Sequence, residues 1–175
     1  IGVTLRLKHP DPEFSAAQLC ASKNDEAAVE SICAKLGIEH HYLELFPEFE
    51  CRVLRPAAQE YARGRTPNPC CECNYRIKFG KLVEFARSAG AAKVLTGHYA
   101  KLSEHGGVYE LRRGDDLKKD QSYFLYRLDQ AILSMVRFPV GAMDKGEVRR
   151  IAAEYGLVTS DKPDSQDICF VPDGD

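Results

Sequence analysis

Three neighbouring stretches decide the fold: IGVTLRL at residues 1–7, NDEAAVESICAKLG at residues 24–37 and HHYLEL at residues 40–45. The first and third are short runs rich in apolar residues, which is typical of strands. The middle stretch has apolar residues at helical spacing, which predicts a helix that buries Cys33 and ends at Gly37. A strand, a helix and a strand in this order predict two parallel strands joined by a right-handed crossover.

The same alternation continues downstream. Residues 99–113 have the pattern of a β-hairpin with a Gly-Gly turn. The remaining elements predicted from the sequence are a strand at residues 93–96 and helices from residue 47 onward, at 82–89, at 122–136 and at 144–156. Alternating strands and helices predict an α/β fold with a mainly parallel sheet.

The stretch GRTPNPCCECNYRIKF at residues 64–79 has the densest concentration of reactive side chains. Its two prolines exclude a helix through residues 66–69, so a stiff loop is expected to lead to Cys70, Cys71 and Cys73 at a helix start. A helix N-terminus and nearby cations favour thiolate over thiol, which makes these cysteines candidate nucleophiles or metal ligands. A Cys-x-x-Cys spacing also occurs in disulfides and redox pairs, and no second such pair completes a zinc site.

The composition, 44% hydrophobic and 29% charged residues in a chain of 175, is that of an ordinary soluble globular protein. No window approaches the roughly 18 uninterrupted apolar residues of a membrane helix. Seven cysteines, an odd number, argue against a secreted disulfide scaffold and favour a reducing compartment. The net charge of −2 says little about partners, but a local basic cluster can bind a polyanion. Five basic residues surround the cysteines: Arg63, Arg65, Arg76, Lys78 and Lys81.

Four motifs together narrow the family. They are the stretch at residues 64–79, TGHYA at 96–100, KDQSYFL at 119–125 and DSQDICF at 164–170. In this order, and over essentially the whole chain, they resemble the tRNA-specific 2-thiouridylases (the MnmA/TrmU type).

The resemblance implies a Rossmann-like adenine-nucleotide α-hydrolase domain, or PP-loop domain, over residues 1–135, with the hairpin at about 99–113 as an insertion. Residues 136–175 would then be a linker and the start of a small middle domain that binds tRNA.

The resemblance also implies a reaction. ATP and Mg²⁺ would serve to adenylate the C2 oxygen of the wobble uridine, U34, in tRNAs of the Glu, Gln and Lys types. A sulfur atom held as a cysteine persulfide, supplied by an upstream donor protein, would then displace AMP and leave 2-thiouridine. Such an enzyme is expected in the cytoplasm, or in mitochondria if the source is eukaryotic, without a membrane partner.

Individual residues take roles from the matched motifs. Cys169 matches the family's persulfide carrier, and Cys73 matches the partner that releases sulfide or closes a disulfide with Cys169. The positions that the resemblance assigns to the nucleotide are Leu5 and Gly97. The positions that it assigns to tRNA are Asn68, Pro69, Cys70, His98, Lys119, Asp120 and Gln121.

The chain departs from the family pattern at two points. The Ser-Gly-Gly-x-Asp-Ser pyrophosphate loop is absent, and the Gly-Gly at residues 106–107 lies in the hairpin turn. We therefore expect a fragment that starts downstream of this loop, lacks the C-terminal β-barrel, and alone has neither ATP affinity nor activity. Members of the family carry either Cys or Asp at the position of Cys70. With cysteine there, Cys70, Cys73 and Cys169 could instead hold a [4Fe–4S] cluster.

Two other functions stay open from the sequence. One is another PP-loop tRNA sulfurtransferase, of the 2-thiocytidine or 4-thiouridine type, although the motifs at 119–125 and 164–170 weigh against it. The other is a non-catalytic tRNA-binding or metal-binding module, which would rest on the basic and cysteine clusters alone.

Overall fold

The computed structural model describes residues 1–8 and 23–157. The strands in these ranges are β1 (Gly2–Arg6), β2 (His40–Glu44), β3 (Val94–Leu95), β4 (Ala100–His105), β5 (Val108–Arg113) and β6 (Val136–Arg137). The helices in these ranges are α1 (Lys23–Leu36), α2 (Phe46–Phe49), α3 (Arg55–Ala62), α4 (Pro69–Glu72), α5 (Gly80–Ser88), α6 (Gln130–Leu133) and α7 (Lys145–Glu154).

Two of the three strand pairings in the described residues are parallel. β1 pairs with β2 so that Gly2 lies opposite His40, and β3 pairs with β6. Helix α1 connects the first pair. Its Cys33 is buried against Gly2, since a Cβ atom added to Gly2 would lie 2.7 Å from the Sγ atom of Cys33. The predicted strand–helix–strand unit and the α/β class with parallel strands are confirmed.

The predicted hairpin is also confirmed, because β4 and β5 pair antiparallel. Gly106 and Gly107 form the turn with φ values of 59° and 81°, the left-handed region that glycine adopts without steric cost.

One continuous helical run carries the cysteines. It begins as α4, loosens into a π-helical segment at Cys73–Phe79 and ends as α5. Side chains of this run enter both hydrophobic cores of the described chain. The first core contains Leu7, Leu45, Phe49, Val53, Cys73 and Ile77. The second core contains Phe79, Val83, Ala100, Leu125, Leu128, Leu133, Val136 and Phe138. The cysteine-bearing helix therefore packs on both cores, which fixes its position.

The helix predicted at residues 122–136 is wrong. The chain forms a 3₁₀ turn at Ser122–Leu125, then the short α6, and then strand β6. Asp129 is extended and its carboxylate accepts the N–H of Ile132 at 2.9 Å, which starts a new helix in the middle of the predicted one. The side chain of Gln130 donates to and accepts from the backbone of Tyr109 at 2.8 Å, so contacts with the hairpin override the helical spacing.

The core continues past residue 135. Phe138 is buried in the second core, and a Cβ at Gly141 would lie 1.8 Å from the carbonyl oxygen of Ala100. This close packing joins the segment after β6 to β4. The division of the chain near residue 135 into two domains stays a prediction.

The last described helix is capped as its sequence predicts. The carboxylate of Asp144 accepts the N–H of Glu147 at 2.8 Å, and α7 then runs to Glu154. At its other end, Lys35 of α1 donates to the carbonyl oxygens of Tyr155 and Gly156 at 2.6 and 3.0 Å. None of the helices in the described ranges has both the length and the apolar character needed to cross a membrane.

Candidate active site

The loop before the cysteines is built as the prolines predict. Pro69 occupies the first turn of α4, where its missing N–H costs no hydrogen bond. The side chain of Asn68 caps this turn by accepting the N–H of Cys71 at 3.3 Å. Asn68 is exposed and Cys70 is half-buried, so both are open to a ligand from the same turn.

The two other thiols of this turn are buried. Cys71 is 4% exposed and its thiol donates to the carbonyl oxygen of Tyr123 at 3.8 Å. Burial, together with the neighbouring Cys70, raises the pKa of the Cys71 thiol. The expectation that the helix start favours a thiolate is therefore wrong for Cys71, because desolvation outweighs the helix dipole and the cations.

Cys73 lies at the edge where the parallel strands end. It is 6% exposed and packs in the first core with Leu7 and Leu45, the residues that directly follow β1 and β2. Ligands of open α/β sheets bind outside the carboxyl ends of the strands. The thiol thus faces the expected edge of the sheet but is covered by apolar side chains in this conformation.

Asn74 is a buried polar residue to which the sequence assigns no role. Its side-chain amide donates to the carbonyl oxygen of Cys70 at 3.0 Å, which fixes the backbone of the cysteine turn. Its Oδ1 is buried and has no hydrogen-bond partner among the residues that the structure describes. In the sequence, this buried asparagine of the cysteine-bearing helix is visible only as one letter of the Cys-Asn motif.

His98 and Gly97 follow β3. The His98 ring lies 5.3 Å from the ring of Phe79, which belongs to the cysteine-bearing helix, and its Nδ1 lies 3.0 Å from the hydroxyl of Thr96. Burial, and secondarily the charge of Lys78, lowers the pKa of His98 to about 4, so the imidazole is neutral at pH 7. Gly97 is exposed, and a Cβ there would meet no atom within 4 Å, so its backbone borders open space.

Asp120 and Gln121, predicted to contact tRNA, hydrogen-bond within the chain. Gln121 accepts the N–H of Tyr99 at 3.0 Å and donates its own N–H to the carbonyl of Tyr99 at 2.9 Å. The carboxylate of Asp120 accepts from Gly114 N–H at 2.9 Å and from the Ser122 hydroxyl at 2.9 Å.

Burial alone would raise the pKa of Asp120, but the hydrogen bonds from Gly114 and Ser122 and the proximity of Arg113 lower it overall. Asp120 and Gln121 therefore stabilise the base of the hairpin through hydrogen bonds. Their contact with tRNA stays a prediction. The backbone N–H of Lys119 donates to the carbonyl of Asp116 at 3.0 Å.

The basic cluster is more nearly neutralised than the sequence predicts. Arg63 and Arg65 both bind Glu60, at 2.9 and 3.0 Å, and the hydrogen bond from Arg65, with that from Arg63, lowers the pKa of Glu60. Lys81 pairs with Glu84 at 2.9 Å. Ion pairs at i,i+3 spacing are readable from sequence, whereas the Arg65–Glu60 pair depends on the turn after α3.

Three of the four sequence motifs meet along the cysteine-bearing helix. Phe79 contacts His98, Cys71 contacts the backbone of Tyr123, and Gln121 binds Tyr99. Leu5 lies half-buried on β1, opposite Leu43 of β2.

The fourth motif and the predicted persulfide carrier, Cys169, lie outside the described residues. In the described ranges no three His, Cys, Asp or Glu side chains are grouped to hold a metal ion, and the iron–sulfur alternative stays a prediction because it includes Cys169.

This fold and site define the class as a Rossmann-like α/β domain of the HUP type. The family model described as the tRNA methyl transferase HUP domain matches residues 1–173, so the chain belongs to this family.

Among its curated relatives, the "tRNA-specific 2-thiouridylase MnmA" of Acidithiobacillus ferrooxidans is 47% identical over 99% of this chain and 47% of its own length. The proteins of the same name from Chloroflexus aurantiacus and Geobacter metallireducens are 46% and 43% identical, over 99% and 100% of this chain and 49% of each relative. The chain thus spans about half the length of these relatives.

Proposed function

We propose that the protein carrying this chain is a tRNA 2-thiouridine synthase that replaces the C2 oxygen of U34 with sulfur. The observation that carries the proposal is the meeting of three separate motifs along one helix, which begins in a capped turn with a half-buried cysteine and whose Cys73 packs at the carboxyl ends of β1 and β2. Membership of the tRNA methyl transferase HUP family and relatives named tRNA-specific 2-thiouridylase support it.

ATP with Mg²⁺ would supply the group that turns the C2 oxygen into a leaving group. The backbone near Leu5 and at Gly97 would hold the nucleotide. Both positions suit this role, because Gly97 borders open space after β3 and Leu5 lies half-buried near the carboxyl end of β1. A backbone free of a side chain lets a phosphate or ribose approach closely.

Asn68, Pro69 and Cys70 would meet the target base, since Asn68 and Cys70 are accessible on the turn and Asn74 fixes its backbone. The neutral imidazole of His98 would lie beside the tRNA as a hydrogen-bonding group without a charge. To reach these groups the uridine has to leave the stack of the anticodon loop.

The sulfur would arrive as a persulfide on Cys169, loaded by an upstream donor protein. Its terminal sulfur forms the new bond to C2, and AMP leaves with the C2 oxygen. The thiolate of Cys73 then bonds to the Sγ of Cys169, the S–S bond of the former persulfide breaks, and its electron pair stays on the 2-thio group. A thiol reductant must afterwards reduce the disulfide between Cys73 and Cys169.

This scheme requires Cys73 to become accessible. In the structure it is covered by Leu7, Leu45 and other apolar side chains, so binding of the substrate must open this contact. The π-helical turn that begins at Cys73 is a suitable place for such a change, because π turns interrupt the regular helical hydrogen bonds and often occur at functional sites.

The test is sulfur incorporation into tRNA transcripts of the Glu type by the full-length protein, with ATP, Mg²⁺ and a persulfide donor. Digestion to nucleosides and mass spectrometry identify 2-thiouridine against 2-thiocytidine and 4-thiouridine. Cys73→Ser and Cys169→Ser are expected to abolish turnover. Cys51→Ser is the matched control, because Cys51 is an exposed thiol in a second π-helical segment, Glu50–Leu54, and is not part of the proposed site. Wild-type rates in both the Cys73 and the Cys169 variant would refute the proposal.

A further inference from the structure

Two tyrosines beside the candidate active site expose most of their rings. Tyr123 and Tyr126 are 64% and 65% exposed. Their ring centroids lie 6.2 Å apart, with the planes inclined by 34°. Two large apolar faces held next to each other in water are typical of a surface that binds a partner.

Contacts with the cysteine turn hold this tyrosine pair at the edge of the site. The thiol of Cys71 donates to the carbonyl oxygen of Tyr123 at 3.8 Å. Arg127, which directly follows Tyr126, forms an ion pair with Glu72, and its guanidinium lies 4.8 Å from the centre of the Tyr75 ring. The 3₁₀ turn and the cysteine turn are thus joined at both ends of the pair.

Guanidinium groups lie beside the tyrosines. Glu72 binds both Arg127 and Arg76, the latter at 2.8 Å, so one carboxylate faces two guanidinium groups. The Arg127 side of this pair directly follows Tyr126 in the chain. Aromatic faces next to cations are the combination that binds single-stranded nucleic acid, because bases stack on the rings while the cations attract the backbone.

We propose that Tyr123 and Tyr126 form a stacking surface for the unpaired bases that flank the target nucleotide of the RNA substrate. This inference rests on the proposed function and adds the means by which the strand beside the target base is held. Stacking on this surface would hold the neighbouring bases in place while the target base leaves the stack and binds at the cysteine turn. An RNA strand is favoured over a protein partner because the rings adjoin the guanidinium of Arg127 and are joined to the cysteine turn, where the target base is proposed to bind.

The test measures the affinity of the full-length protein for an anticodon stem-loop RNA by fluorescence anisotropy. Tyr123→Ala and Tyr126→Ala are each expected to weaken binding by about 5- to 150-fold, the range found when a base loses an aromatic stacking partner. Tyr123→Phe retains the ring and should bind like the wild type. Leu36→Ala is the control, because Leu36 is an apolar side chain that is 52% exposed at the end of α1, outside the positions assigned to tRNA, and should leave affinity unchanged.

Salt dependence separates stacking from charge. The slope of log affinity against log salt should be the same in Tyr123→Ala and in the wild type, because removing a neutral ring releases no counterions. Arg127→Gln should reduce this slope.

Wild-type affinity in both alanine variants, with a wild-type protein that binds and thiolates RNA, would overturn the stacking surface and leave the proposed function intact. A wild-type protein that neither binds nor thiolates RNA would overturn both. Sedimentation could also reveal a dimer that the double alanine variant converts to monomers without loss of RNA affinity. That result would assign the tyrosines to self-association and would overturn the inference as well.

Discussion

Replacement of Asp120 by alanine tests whether this motif residue supports the fold. Its carboxylate is 12% exposed, accepts two hydrogen bonds of 2.9 Å and one of 3.3 Å, and lies 3.4 Å from the guanidinium of Arg113. A hydrogen bond to a charged group contributes about 1.5–3 kcal/mol. Because the contributions are not additive, we expect Asp120→Ala to lower the free energy of unfolding by about 3 kcal/mol.

Urea unfolding followed by circular dichroism measures this loss. The matched control is Asp115→Ala, since Asp115 is an exposed carboxylate five residues away that pairs with Lys101. An exposed ion pair contributes about 1 kcal/mol or less. Equal losses in the two variants would refute the structural role of Asp120. A drop in tRNA affinity at unchanged stability would assign it to substrate contact instead.

The pH dependence of the Asp120 effect has a fixed sign. Its pKa in the folded state is lowered, so the carboxylate stabilises the fold above its unfolded pKa of about 3.9. This contribution is lost as the pH falls through the lowered folded value. The difference in stability between the wild type and Asp120→Asn should therefore shrink below about pH 4.

Two further predictions concern glycine packing and His98. Gly141→Ala should lower the free energy of unfolding, measured with heat or urea, by about 1–3 kcal/mol or more, because its Cβ would meet backbone atoms of Ala100. Gly97→Ala should leave stability nearly unchanged, because its Cβ would meet no atom, and should instead weaken ATP-dependent turnover. Equal stabilities of these variants would contradict the packing account. For His98, the pKa of about 4 lies below the unfolded value of about 6.5, so unfolding free energy should decline as the pH falls between these values. His98→Phe should remove that part of the decline, and an NMR titration of the His98 imidazole near pH 6.5 would contradict its lowered pKa.

The sequence predicts the parts of the fold that depend on local chemistry. Gly106 and Gly107 make the hairpin turn, Asp144 caps α7, and the proline loop leads to a capped helix start. Each of these features depends on residues within a few positions of one another. Short-range sequence patterns were therefore sufficient to predict these features.

The sequence could not predict what distant contacts decide. The helix expected at 122–136 is interrupted because Gln130 binds the hairpin backbone and Asp129 starts a new turn. The thiol of Cys71 is buried against the backbone of Tyr123, some 50 positions away. Its pKa is therefore raised, although its position at a helix start would favour the thiolate. Desolvation of this kind depends on packing and is not visible in the spacing of residues.

The sequence predicted which residues lie near one another at the site better than it predicted what each residue contacts. The cysteine-bearing helix contacts both His98, through Phe79, and the motif at 119–125, through Cys71. Asp120 and Gln121, however, hydrogen-bond to the base of the hairpin, and Glu60 pairs with two of the arginines expected to attract a polyanion. Asn74, whose amide fixes the cysteine turn, carried no signal beyond its place in a motif.

The measurement that tests the central claim most directly is a single turnover of the full-length, persulfide-loaded protein with tRNA and ATP in the absence of reductant. Non-reducing peptide mapping would then quantify the disulfide between Cys73 and Cys169. We predict one disulfide for each 2-thiouridine formed, which requires the covered thiol of Cys73 to open toward its partner. Stoichiometric 2-thiouridine with the thiol of Cys73 still free would contradict the account and favour the iron–sulfur alternative.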